Sequence, residues 1–248
     1  MSGFPRAIVP VGHVEPVPRR IRAVLAGRTV LDTTAARYGF EWPYYPQFHV
    51  PVADVDPVAV VDEGVAEDRP LGRARRVGLR VGDAVRPATG WRYLDGELAG
   101  HLRFEWTALD AWFEEDEQVF VHPRNPYARV DALRSQRHVR VELDGAVLAD
   151  SSSPVLVFET GLPTRYYLPR TDVRLDRLRP SDTRTQCPYK GLTTDYWSVE
   201  GGPDDVAWSY DFPLPAVAPI AGLVAFLDER VDVVLDGVRQ ERPRTHFA

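Results

Sequence analysis

The chain of 248 residues contains one cysteine, Cys187, and one lysine, Lys190, among 30 basic side chains. A single thiol cannot close an internal disulfide, so no framework of the secreted kind is expected. Nor can it supply the Cys and His set of a structural zinc site, and no metal site is expected. No run approaches the ~20 apolar residues that span a bilayer. The opening stretch, MSGFPRAIVPVGHVEPVPRR, is rich in proline and has no apolar signal core. These features predict a soluble cytoplasmic protein with no membrane partner. The net charge of −6 argues against nucleic acid as a partner, because such binders need dense positive surface to displace counterions. Phosphate-loop, dinucleotide-binding and serine-elbow motifs are missing as well, so no cofactor is expected.

The residues that are present point to a folded, β-rich chain. Hydrophobic residues make up 44% of the sequence, which is a globular composition rather than a disordered one. The 22 prolines, 18 glycines and six tryptophans favour short strands joined by shaped loops over a helical bundle. The arginines of the stretch from Arg69 to Arg86 form one basic patch, read as a solvated loop.

Self-comparison reveals a duplication. Residues 19–55 align without a gap on residues 137–173, at a constant offset of 118. Identical pairs include Arg22/Arg140, Gly27/Gly145, Phe40/Phe158, Glu41/Glu159 and Asp54/Asp172. Farther on, Trp91-x-Tyr93 falls over Trp208-x-Tyr210. The chain therefore reads as an N-terminal tail over 1–17, a first, degenerate copy over 18–128 and a second copy over 129–248. Such a pair can pack as an intrachain pseudo-dimer. In each copy apolar and polar residues alternate on both sides of a tight turn, Ala26-Gly27 or Asp144-Gly145, which is a hairpin signal. The fold class expected is mainly β: two tandem domains of short antiparallel strands, hairpins and long loops.

The second copy carries TRTQCPYKGLTTDYWSV, for which the first copy has no visible counterpart. Pro188 biases Cys187 to an extended backbone, and Gly191 permits a tight turn after Lys190. An arginine-rich chain that retains one lysine points to a need for a compact amine. Two uses fit. The ammonium can lower the Cys187 thiol pKa, making Cys187 and Lys190 a catalytic pair. It can instead anchor an anionic group. Around the loop lie Arg165, Tyr167, Tyr189, Trp197, Trp208 and Tyr210, a set suited to a planar, anionic small molecule. Glu159, in an apolar strand, is expected to neutralise Arg165. A purely structural or protein-interaction module is the third reading.

The stretches VLADSSSPVLVFETGLPTRYYLPRTDV, TRTQCPYKG, YWSV and AWSYDFPLPAVAPIAGLVAF closely resemble a bacterial family, the domain of unknown function 427 family, sometimes labelled nucleotidyltransferase-like. The resemblance covers residues 134–238, with a more degenerate copy over about 18–125. It implies a β-tent-like fold and carries over Arg165, Tyr167, Cys187, Pro188, Tyr189, Lys190, Gly191, Trp197, Trp208 and Tyr210. It implies no particular reaction. The Gly-Ser element and paired aspartates of nucleotidyltransferases are missing, and the only Asp-x-Asp, Asp54 to Asp56, lies in the degenerate copy.

Overall fold

Part of the stretch expected as a tail opens the first sheet. Val14–Pro16 forms strand β1 in this computed structural model, which describes residues 9–245. The remaining strands of the first copy are β2 (Ile21–Leu25), β3 (Arg28–Thr33), β4 (Arg37–Gly39), β5 (Gln47–Pro51), β6 (Val60–Arg69), β7 (Gly72–Val81), β8 (Ala84–Tyr93), β9 (His101–Phe104), β10 (Ala111–Glu114) and β11 (Glu117–Val119). They build a seven-stranded sheet in the order β1-β4-β5-β9-β8-β7-β6 and a four-stranded sheet in the order β11-β10-β2-β3. Every pairing between them is antiparallel.

The local sequence accounts for these elements. In β2 the alternation of IRAVL buries Ile21, Ala23 and Leu25 and leaves the intervening side chains half-buried. Ala26 and Gly27 then take φ of 50° and 74°, the doubly positive turn whose twist matches a hairpin. The core joins β2, β3 and β10 to the inner faces of β4, β5, β7 and β9. Ile21, Leu25, Phe40, Leu79 and Leu102 are each at most 1% exposed. Each contributes about 1.5–3 kcal/mol by leaving water. Leu25→Ala would open a cavity there and cost about 2–5 kcal/mol.

The second copy repeats the plan. Its strands are β12 (Val130–Arg134), β13 (Val139–Leu143), β14 (Ala146–Ser151), β15 (Val155–Glu159), β16 (Arg165–Leu168), β17 (Leu178–Ser181), β18 (Gln186–Cys187), β19 (Gly191–Leu192), β20 (Asp195–Val199), β21 (Ala207–Ser209), β22 (Val224–Phe226), β23 (Asp232–Leu235) and β24 (Val238–Arg239). The large sheet runs β12-β15-β16-β22-β21-β20-β17 and the small one β14-β13-β23-β24, which is the order of the first copy strand for strand. Even irregularities recur. A bulge interrupts β2 between Ala23 and Val24, and another interrupts β13 between Val141 and Glu142. The Thr33 hydroxyl donates to Asp54 at 2.6 Å, and the Ser151 hydroxyl donates to Asp172 at 2.6 Å. Both hydroxyls also accept a backbone N–H two residues on, which closes the same polar turn twice.

The copies differ where their sequences diverge. The first copy spends residues 60–93 on three ten-residue strands, β6, β7 and β8. The arginine patch expected as a solvated loop is therefore mostly strand. Arg75 pairs with Asp62 and Arg76 with Glu67 across the ribbon. In the second copy the matching strands are short, and the chain instead makes the two-stranded hairpin β18–β19 around Pro188, Tyr189 and Lys190. Helical structure among the described residues is limited to 3-10 segments of three to six residues. No helix among them is long and apolar enough to cross a membrane. By backbone contacts one unit ends at Tyr127 and the next continues from Ala128.

Candidate functional site

In each copy, cross-strand pairing on the large sheet fixes which side chains share its outer face. Tyr167 lies opposite Ala225, Ala225 opposite Trp208, and Trp208 opposite Tyr196, so all four belong to one row and one face. Ala225 is small, and the Trp208 Nε1–H reaches over it to donate to the Tyr167 hydroxyl at 3.3 Å. Tyr167 is fully buried, and burial pushes its hydroxyl up to about 12. Tyr210, two residues beyond Trp208, joins the same apolar cluster, where burial raises its hydroxyl far above the ordinary range.

The hairpin β18–β19 lowers Lys190 onto this face. Gly191 takes φ of 98°, which a glycine adopts without strain, and it pairs with Cys187 to close a three-residue loop. The Lys190 carbonyl accepts the Leu214 N–H at 3.0 Å, fixing the loop to the chain that follows β21. Thr185 ties its base, through its N–H to the Thr193 hydroxyl at 2.8 Å and its hydroxyl to that of Tyr196 at 3.1 Å.

Lys190 is only 8% exposed, and its ammonium forms an ion pair with Glu159. Burial pulls the ammonium pKa down, but Glu159, Cys187 and Tyr167 more than offset this and hold it above the ordinary lysine range. The Cys187 sulfur lies 3.9 Å from the same nitrogen. Burial nevertheless pushes the thiol up, Lys190 offsets only part of that rise, and Glu159 adds to it. The amine is thus committed to a carboxylate, and the thiol is protonated near neutral pH. That is the reverse of an activated nucleophile, which needs a depressed thiol pKa.

The structure brings together Tyr167, Cys187, Lys190, Trp208 and Tyr210, with half-buried Tyr189 in the hairpin loop itself. Two of the expected residues are engaged elsewhere. The Arg165 guanidinium pairs with Glu229 at 2.6 Å and with buried Asp228 at 3.4 Å, so Glu159 neutralises Lys190 and not Arg165. Trp197 follows Tyr196 on β20 and so points to the opposite face, where it packs in the core between the two sheets. The Arg170 guanidinium lies over its ring at 5.4 Å.

The first copy builds a counterpart that sequence reasoning missed. Glu41, the equivalent of Glu159, accepts the Tyr93 hydroxyl at 2.7 Å and pairs with Arg69 at 2.9 Å. Fully buried His49 stands where the second copy has Tyr167, and Arg103 where it has Ala225. Each approaches the Glu41 carboxylate to 3.8 Å. Burial pushes Glu41 up, yet His49, Arg103, Tyr93 and Arg69 together hold it at about 2. Arg69 and Arg103 both lie against the Trp91 ring, at 4.0 and 4.6 Å from its centroid. Arg69 ends β6 and so comes from the same inter-strand connection that provides Lys190 in the second copy. The available signals were the identical Glu41/Glu159 pair and the repeated Trp-x-Tyr.

Among the described residues no group of three or more His, Cys, Asp or Glu stands ready to hold a metal ion. Asp54 and Asp56 are engaged locally. Asp54 accepts from Thr33, while Asp56 pairs with Arg28 at 3.0 Å and caps the Val58 N–H.

No curated protein matches the chain. The model of a family described as a domain of unknown function, DUF427, matches residues 13–115 and again residues 131–237, and with the same sheet order built twice the chain belongs to that family as two tandem copies.

Proposed function

We propose that the protein binds a small planar metabolite at the second copy's hairpin, with Lys190 as its polar anchor and Tyr167, Tyr189, Trp208 and Tyr210 as its aromatic surround. One observation carries this reading: a two-stranded hairpin, built in addition to the shared fold, places a buried ammonium at the edge of an aromatic row. Exposed apolar side chains frame the hairpin. Leu192 is 47% exposed, and Phe212 is 88% exposed with its carbonyl beside Gly191. Apolar surface left in water next to a buried polar group favours a ligand over plain scaffolding. Because Glu159 already neutralises Lys190, the planar character of the ligand weighs more than its charge. An acidic group on it would compete with Glu159 for the ammonium.

A thiol enzyme at Cys187 is the weaker reading, since the thiol pKa moves up. The test is the melting temperature of the intact protein against a panel of planar metabolites, neutral and acidic. A ligand at about 100 times its dissociation constant adds about 2.7 kcal/mol, a shift of several degrees. The hit should be lost in Trp208→Leu and weakened in Lys190→Arg. A panel without a hit, or a hit indifferent to both changes, contradicts the proposal.

A further inference from the structure

The first copy has its own concavity beside the Glu41 cluster. It is a half-open groove of about 380 Å³, lined by Glu41, Trp42, Tyr45, Arg103, Trp106 and His122, among others. That volume falls at the small end of ligand cavities. Its walls are flat. Tyr45 and His122 stack at 3.7 Å with 4° between their planes, and Trp42 meets Tyr45 edge-on at 5.1 Å. Trp106 is held by stacking on Trp112, 5.1 Å away, and the Trp112 Nε1–H donates to its carbonyl at 3.0 Å. Such walls favour a ring over a chain.

The charges at this site cancel. Glu41 is paired with Arg69, and Arg103 with Glu105 at 2.5 Å. A charged ligand would lose its hydration and find no free counter-charge. The rings of Trp42, Tyr45, Trp106 and His122 are therefore what the concavity offers a ligand. We propose that the first copy holds a second binding site, distinct from the hairpin site, for a neutral aromatic molecule of one or two rings.

The test uses the intact protein with its six tryptophans labelled at the indole nitrogen. Trp42 and Trp106 report this cavity, while Trp197 and Trp208 report the second copy. The neutral probes are nicotinamide and adenine. Nicotinate and 1-methylnicotinamide supply a negative and a positive charge on the same ring. At least one neutral probe should shift Trp42 and Trp106 saturably, and bind at least tenfold more tightly than its charged analogues. Trp42→Ala and Tyr45→Ala should each weaken it at least tenfold. Trp42 is 44% exposed, so its removal leaves the core intact. No saturable shift with any probe, preference for a charged ring, or binding indifferent to both substitutions overturns the proposal. Shifts confined to Trp197 and Trp208 also overturn it while leaving the hairpin site standing.

Discussion

Replacing Lys190 by methionine keeps most of the side-chain volume and removes the charge, leaving the Glu159 carboxylate without its ammonium in a largely buried setting. Breaking a buried pair from one side costs about 3–5 kcal/mol, because the remaining charge is uncompensated. For a unit of this size, each kcal/mol lowers the melting point by about 3–6 °C. The variant should therefore melt roughly 10–30 °C lower in the transition that reports the second copy. Removing both partners, as Lys190→Met with Glu159→Gln, should recover much of the loss, since a neutral pair carries no buried charge. Lys190→Arg keeps the charge but forces a broader group into a nearly closed site, at a cost of about 1–3 kcal/mol. Calorimetry on the four proteins of the cycle measures the coupling directly. A loss below about 1 kcal/mol for Lys190→Met, as for an exposed pair, or strict additivity in the double variant, would refute the reasoning.

Three further outcomes are expected. Asp228 is pushed up to about 7 by burial, which outweighs the attraction of Arg165, so the folded second copy holds this proton more tightly than the unfolded chain. Its contribution therefore falls as pH rises from about 4 to 7, and Asp228→Asn should flatten that part of the calorimetric profile. In the first copy burial lowers the His49 pKa, so stability there should drop as pH falls below about 6.5, a trend that His49→Gln removes. Gly39→Ala should cost about 1–3 kcal/mol in urea unfolding, because its new methyl would stand 2.6 Å from His49 Nδ1 and from Leu71 Cδ1, and closer still to His49 Cε1.

Much of this architecture could be read from the chain because its local signals are strong. Asp144-Gly145 and Ala26-Gly27 mark hairpins that only residues tolerant of positive φ can turn, and the duplication aligns without gaps. The hairpin cluster was legible through Lys190 itself. Two aspects were not legible. Alternation places Tyr196 and Trp197 on opposite faces but does not say which of them faces Trp208, since that depends on register. Likewise, no spacing reveals that Arg165 meets acids 63 and 64 residues on, at Asp228 and Glu229, while Lys190 meets Glu159. The first copy's cluster was hidden because its cation is Arg69, at the end of a long ribbon with no likeness to the hairpin it replaces. The structure also accounts for the lone lysine. Arg69 sits half-buried against Trp91, where a flat guanidinium fits, whereas Lys190 is enclosed beside Cys187 and Tyr167 and suits a compact ammonium.

The central claim is that Lys190 serves the Glu159 carboxylate and a bound ligand, and does not activate the thiol. Cys187 is the only thiol of the chain, so its alkylation reports this one site. The rate should be measured against pH, with and without a ligand found at the hairpin. We expect slow modification with an apparent pKa above the ~8.5 of a free thiol, slowed further by the ligand. Fast modification with an apparent pKa below that value, or a rate that a hairpin ligand leaves unchanged, would contradict the account.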